Sequence, residues 1–153
     1  MHHFSLVRRH WLSSAGVTFT SLITAVITPV QASDGLTQPE SPDAKAFMSR
    51  AILMRDQAVS AGDQAFGAVV VRDGRIVGQS RSRVMTHSDP TAHAEMEAIR
   101  DAASRLGRRL TGCTLYSSSR PCPMCEAAAY WANIDRMIHG LSLNNAGSPT
   151  LCG

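Results

Sequence analysis

His93-Ala94-Glu95 and Pro121-Cys122-Pro123-Met124-Cys125 place an imidazole, a carboxylate and two thiols in two short segments. Each segment follows a proline or loop signal and opens a predicted helix. Three protein ligands drawn from His and Cys, with a fourth position left open, are what a catalytic zinc site uses. His93, Cys122 and Cys125 supply that number. Cys122 and Cys125 are three residues apart, so a helical turn sets both sulfurs on one face. The unpaired N–H groups of a helix start favour negative charge and lower thiolate pKa values. Glu95, two residues from His93, is close enough to serve such a site without binding the metal. Taken singly, these residues have other readings. A C-x-x-C can be a redox pair, an acid at a helix start complements the helix dipole, and a lone His is more often a surface or capping residue.

The rest of the chain sets bounds. Its 153 residues, 44% hydrophobic and 18% charged, suffice for one domain with a core and exclude disorder and fibrous repeats. Four cysteines are too few for a disulfide scaffold; Cys113 and Cys152 remain free to pair in an oxidising compartment. Residues 1–32 contain Arg8 and Arg9 and no acid. From Trp11 to Gln31 there is no charged residue, and Val30-Gln31-Ala32 fits a signal-peptidase site. This stretch resembles a twin-arginine export signal. The expectation is therefore an export signal over 1–32, a functional domain over 33–153 and an exported, periplasmic protein; without the signal it would be cytoplasmic. Pro29 and the polar content make the stretch a poor membrane span, so no stable membrane insertion is expected. Residues 33–153 carry 13 basic and 12 acidic residues, which gives no general nucleic-acid footprint. The Arg105, Arg108 and Arg109 cluster reads as a solvated helix end.

Periodicity supplies the elements. Ser41-Pro42-Asp43 reads as a helix start with Ser41 as N-cap, and Phe47, Ala51, Met54 and Ala58 recur at helical spacing. Residues 66–71 and 76–81 read as strands joined by the hairpin Arg72-Asp73-Gly74-Arg75. A helix is expected over 91–106, with Ile99, Ala102, Ala103 and Leu106 on one face. A strand over 114–118, a helix over 122–133 and a strand over 136–141 follow, and the tail from Asn144 shows little pattern. This order implies an α/β layer structure with helices packed on a sheet.

Jointly, H-x-E followed by P-C-x-x-C is the signature of zinc nucleobase deaminases. The chain resembles the cytidine and deoxycytidylate deaminase superfamily, in the branch of guanine deaminases and tRNA adenosine deaminases. The carrying residues are Phe66 to Val71, Asp89 to Glu95, Leu115-Tyr116, Pro121 to Cys125 and Tyr130-Trp131-Ala132. The resemblance implies a three-layer α/β/α sandwich with a mixed sheet of at least four strands, the first antiparallel to the rest. It implies one Zn2+ per chain held by His93, Cys122 and Cys125, with Glu95 as proton shuttle. Ser82, Ala94 and Phe66 would meet the substrate, and the chain would form a homodimer.

Several positions depart from the branch. Ser82 stands where an Asn meets the base, Arg120 where a Glu precedes the Pro-Cys pair, and Ala65 where a Pro precedes Phe66. Relatives continue beyond the fourth strand with another strand and helix that close the pocket. The function expected is hydrolytic deamination of a small nucleobase or nucleoside, guanine favoured, with release of ammonia. The alternatives are a tRNA wobble-adenosine deaminase, a thiol–disulfide oxidoreductase using Cys122 and Cys125, and an inactive module that binds a base. Tyr130 and Trp131 read as core or dimer contacts, His87 as a residue of the pocket mouth, and His139 as structural.

Overall fold

Asp73 and Gly74 turn the chain with φ angles of 50° and 72°. Positive φ at both central residues is what a two-residue hairpin matched to strand twist requires. The turn joins β1 (Gly67–Arg72) to β2 (Arg75–Arg81). The computed structural model describes residues 35–151, and the other elements are α1 (Ala44–Ser60), α2 (Ala94–Leu106), β3 (Cys113–Ser117), α3 (Pro123–Trp131), β4 (Arg136–His139) and β5 (Asn144–Gly147). The expected export signal and Cys152 lie outside the described residues. Among the described residues no helix is long and apolar enough to cross a membrane.

The strands form one mixed sheet in the order β2-β1-β3-β4-β5. β1 is antiparallel to β2 and β3, β3 is parallel to β4, and β5 is antiparallel to β4. β1 is thus opposed to β2, β3 and β4, as expected for the four strands read from the sequence, and the additional β5 runs with β1.

Side chains alternate along β1 and define the layers. Val69 and Val71 pack with Phe47, Met48 and Ala51 of α1, together with Ile76 and Tyr116. Ala68 and Val70 pack on the other face with Ala94, Ala98 and Ala102 of α2, Ala129 of α3, and Leu115 and Met137. One helix thus covers one face and two cover the other. Two glycines allow this close approach. A Cβ on Gly67 would lie 2.2 Å from the Ala51 carbonyl oxygen of α1. A Cβ on Gly78 would lie 2.5 Å from the Ala98 carbonyl oxygen and 2.6 Å from the Ala102 nitrogen of α2. These obstacles are backbone, so they cannot swing aside. Gly78→Ala is expected to lower stability by about 1–3 kcal/mol or more, the usual cost of overpacking. A denaturant melt checks this, and an unchanged midpoint would refute the packing argument.

Several boundaries differ from the sequence reading. The N-cap of α1 is Asp43, whose Oδ1 accepts from the Ala46 N–H at 2.7 Å, and not Ser41. α2 begins at Ala94, because Asp89 first turns the chain by accepting from the Thr91 N–H and hydroxyl, both at 2.7 Å. Its buried face is Ala94, Glu95, Ala98, Ile99 and Ala102, while Leu106 is exposed. Tyr130 and Trp131 are exposed and stack edge to face, so they are not core.

Candidate active site

β3 and the two helices that follow β2 and β3 meet at one end of the sheet. His93 is the N-cap of α2 and Cys122 the N-cap of α3, both in extended backbone. Neither side chain caps its own helix. The imidazole and the thiol are therefore free to face each other. Pro123 follows Cys122 in the first turn, where its missing N–H costs nothing.

The three ligand-type residues come together as a triangle. Cys122 Sγ and Cys125 Sγ are 3.6 Å apart, and each lies 3.7 Å from His93 Nδ1. Among the described residues this is the one His/Cys/Asp/Glu group able to hold a metal ion. Tetrahedral zinc with bonds of about 2.3 Å to sulfur and 2.0–2.1 Å to nitrogen sets its ligand atoms roughly 3.6–3.8 Å apart. The triangle has that size. Cys125 is buried, and this burial, with Glu95 and Cys122 beside it, pushes its thiol above the usual range. A cation among the sulfurs reverses that effect, because coordination deprotonates thiols. The donor set thus fits zinc.

Glu95 sits in the first turn of α2 and is 4% exposed. Its Oε1 accepts from the Ser117 hydroxyl at 2.6 Å, and its Oε2 lies 3.6 Å from Cys125 Sγ. Ser117, at the end of β3, is fully buried. One carboxylate oxygen is thereby fixed and the other is left facing the triangle. Ser117 escaped the sequence reading because its role depends on a pairing 22 residues away in the chain.

The expected substrate contacts are placed differently from one another. Ala94 is buried as the first residue of α2. Phe66 is exposed at the entrance to β1, and its carbonyl accepts from the Ser82 N–H at 3.0 Å. Ser82 is fully buried, and its hydroxyl donates to Asp63 Oδ1 at 2.8 Å. Asp63 also accepts from the Gln64 N–H, the Thr86 N–H and the Thr86 hydroxyl. Burial raises the Asp63 carboxyl, but these hydrogen bonds outweigh it and hold the group well below the usual carboxylate range. His87 is exposed in the loop that follows, His139 ends β4, and Arg120 is exposed before Pro121.

Fold and site together define an α/β/α domain that carries a group able to hold a metal ion. Residues 41–141 match the family described as the cytidine and deoxycytidylate deaminase zinc-binding region, and the chain belongs to that family. It is 48% identical to guanine deaminase of Bacillus subtilis (strain 168) over 90 residues, 58% of each chain. A crystal structure of a Bacillus subtilis guanine deaminase superposes with a TM-score of 0.62 at 43% identity, covering 64% of both chains. A tRNA:A34 deaminase structure superposes at 0.59 with 40% identity, covering 61% of this chain and 72% of that one. The chain spans about three fifths of the length of the curated deaminases it matches.

Proposed function

We propose that this chain is a zinc-dependent deaminase that hydrolyses the amino group of a small nucleobase or nucleoside, with guanine favoured, and releases ammonia. The observation that carries this reading is the buried Glu95 carboxylate beside a ligand triangle of zinc dimensions. Similarity to a guanine deaminase over the same stretch supports the substrate class. One zinc per chain would be held by His93, Cys122 and Cys125. When bound, zinc supplies a Lewis acid that makes water acidic near neutral pH.

The chain's own residues then account for proton movement. Ser117 fixes Oε1 of Glu95, so Oε2 is the atom that takes a proton from water and returns it to the substrate. Protons go first to the ring nitrogen and then to the departing amine. Water adds at the amine-bearing carbon, the C–N bond breaks, and guanine would yield xanthine and ammonia. The oxidoreductase reading uses only Cys122 and Cys125. It leaves unexplained a His93 nitrogen equidistant from both sulfurs.

Export through residues 1–32 and assembly as a homodimer belong to the same reading. The Arg8-Arg9 pair supports the first, and the exposed Tyr130–Trp131 pair supports the second. The test is ammonia release and kcat/KM over guanine, cytosine, adenosine and a tRNA anticodon stem-loop at one salt concentration, on protein from periplasmic and cytoplasmic fractions. Turnover of free guanine with a poor stem-loop substrate is expected. Inosine formation in the stem-loop with no turnover of free bases would give the function to the tRNA reading.

A further inference from the structure

We propose that Asp63 is a positioning residue of the candidate active site, and that Ser82 serves it as part of a clamp and not as a substrate contact. The inference rests on the deaminase reading above but is carried by a different set of contacts. Asp63 lies between α1 and β1, remote in sequence from the ligand triangle. Its Oδ1 accepts from the Ser82 hydroxyl and the Gln64 N–H, both at 2.8 Å. Its Oδ2 accepts from the Thr86 N–H at 2.8 Å and the Thr86 hydroxyl at 2.9 Å. A carboxylate offers about four lone-pair sites, so all are taken and none is left for a ligand. Ser82 has one hydroxyl proton, and Asp63 holds it. Ser82 is also fully buried, so a base in an open pocket has no surface of it to touch.

What this clamp holds is the approach to the metal ligands. The Arg83 N–H donates to the Ala92 carbonyl at 3.0 Å, so the loop closes immediately before His93. Within the loop, the His87 N–H donates to the Arg83 carbonyl and the Asp89 N–H to the Val84 carbonyl. The Thr91 N–H and Ala92 N–H both bond to Asp89. Asp63 grips this loop at Ser82, just before its stem, and at Thr86, inside it. A displaced stem carries His93 with it, and small misplacements at a reacting centre are costly.

The test uses the full-length, zinc-loaded protein with Asp63→Asn, Ser82→Ala, Ser82→Thr and Thr86→Val. An Asn at 63 presents an NH2 to one of the two donor pairs and breaks half the clamp. Ser82→Ala and Thr86→Val should lower kcat/KM by the same factor for every base turned over, leaving the order of preference intact. Ser82→Thr, which keeps the hydroxyl, should restore most of the loss. Asp63→Asn should lower kcat/KM roughly 10-fold or more and speed zinc transfer to a competing chelator. A loss in Ser82→Ala confined to one base would make Ser82 a substrate contact and overturn the proposal. If the unmodified protein deaminates nothing, the functional reading fails, yet zinc transfer still decides the clamp. Transfer from folded Asp63→Asn, or from Thr86→Val if the former does not fold, at the unmodified rate would refute it.

Discussion

Glu95→Gln is expected to keep zinc and fold while turnover falls by about 10²–10⁴-fold, the usual worth of general acid–base catalysis. Gln is the informative replacement because it can still accept from the Ser117 hydroxyl that now donates to Oε1 at 2.6 Å. Ala would strand that hydroxyl in a fully buried position, where an unpaired group costs about 1–3 kcal/mol, and would confuse catalysis with stability. The measurement is kcat beside elemental analysis and a melting curve. Zinc lost in step with activity would make Glu95 a ligand and remove the proton-carrying role assigned to Oε2.

Cys125→Ala is expected to lose zinc and activity together, with activity falling at least as far as in Glu95→Gln. Cys125 sits on the inner side of α3 and contributes one of three donors, so its removal leaves a His–Cys pair too poor to hold a catalytic metal. Metal per chain after dialysis reads the outcome. Retained zinc would place the site elsewhere. The two variants together separate proton transfer from metal binding, which a thiol–disulfide mechanism would not do.

The ligand triangle was legible in the sequence because its three residues sit at helix starts, and helix starts announce themselves through prolines and polar caps. The hairpin was legible for the same local reason, since Asp73-Gly74 states its backbone geometry. Ranges shifted where two local signals competed. Asp89 and Thr91 form a turn that delays α2, although Pro90-Thr91 alone suggests a helix start. Asp43 displaced Ser41 as N-cap because its side chain reaches the Ala46 N–H. β5 was missed because Asn144-Asn145-Ala146-Gly147 has no strand-forming residue; it exists only by pairing with β4. Asp63 and Ser117 were missed for a deeper reason. Each acts on a residue about twenty positions away, and nothing in the neighbouring sequence marks either one.

The place of β1 in the sheet has a consequence for how the molecule opens. It alone among the described strands combines antiparallel partners on both edges with helices packed on both faces. Its amides are expected to exchange with solvent deuterium last, through global unfolding, and those of the edge strand β5 early. None of the three ligand residues lies on β1. The three candidate ligands stand instead at helix starts packed around that strand, so a local opening that disturbs the site need not unfold the sheet beneath it.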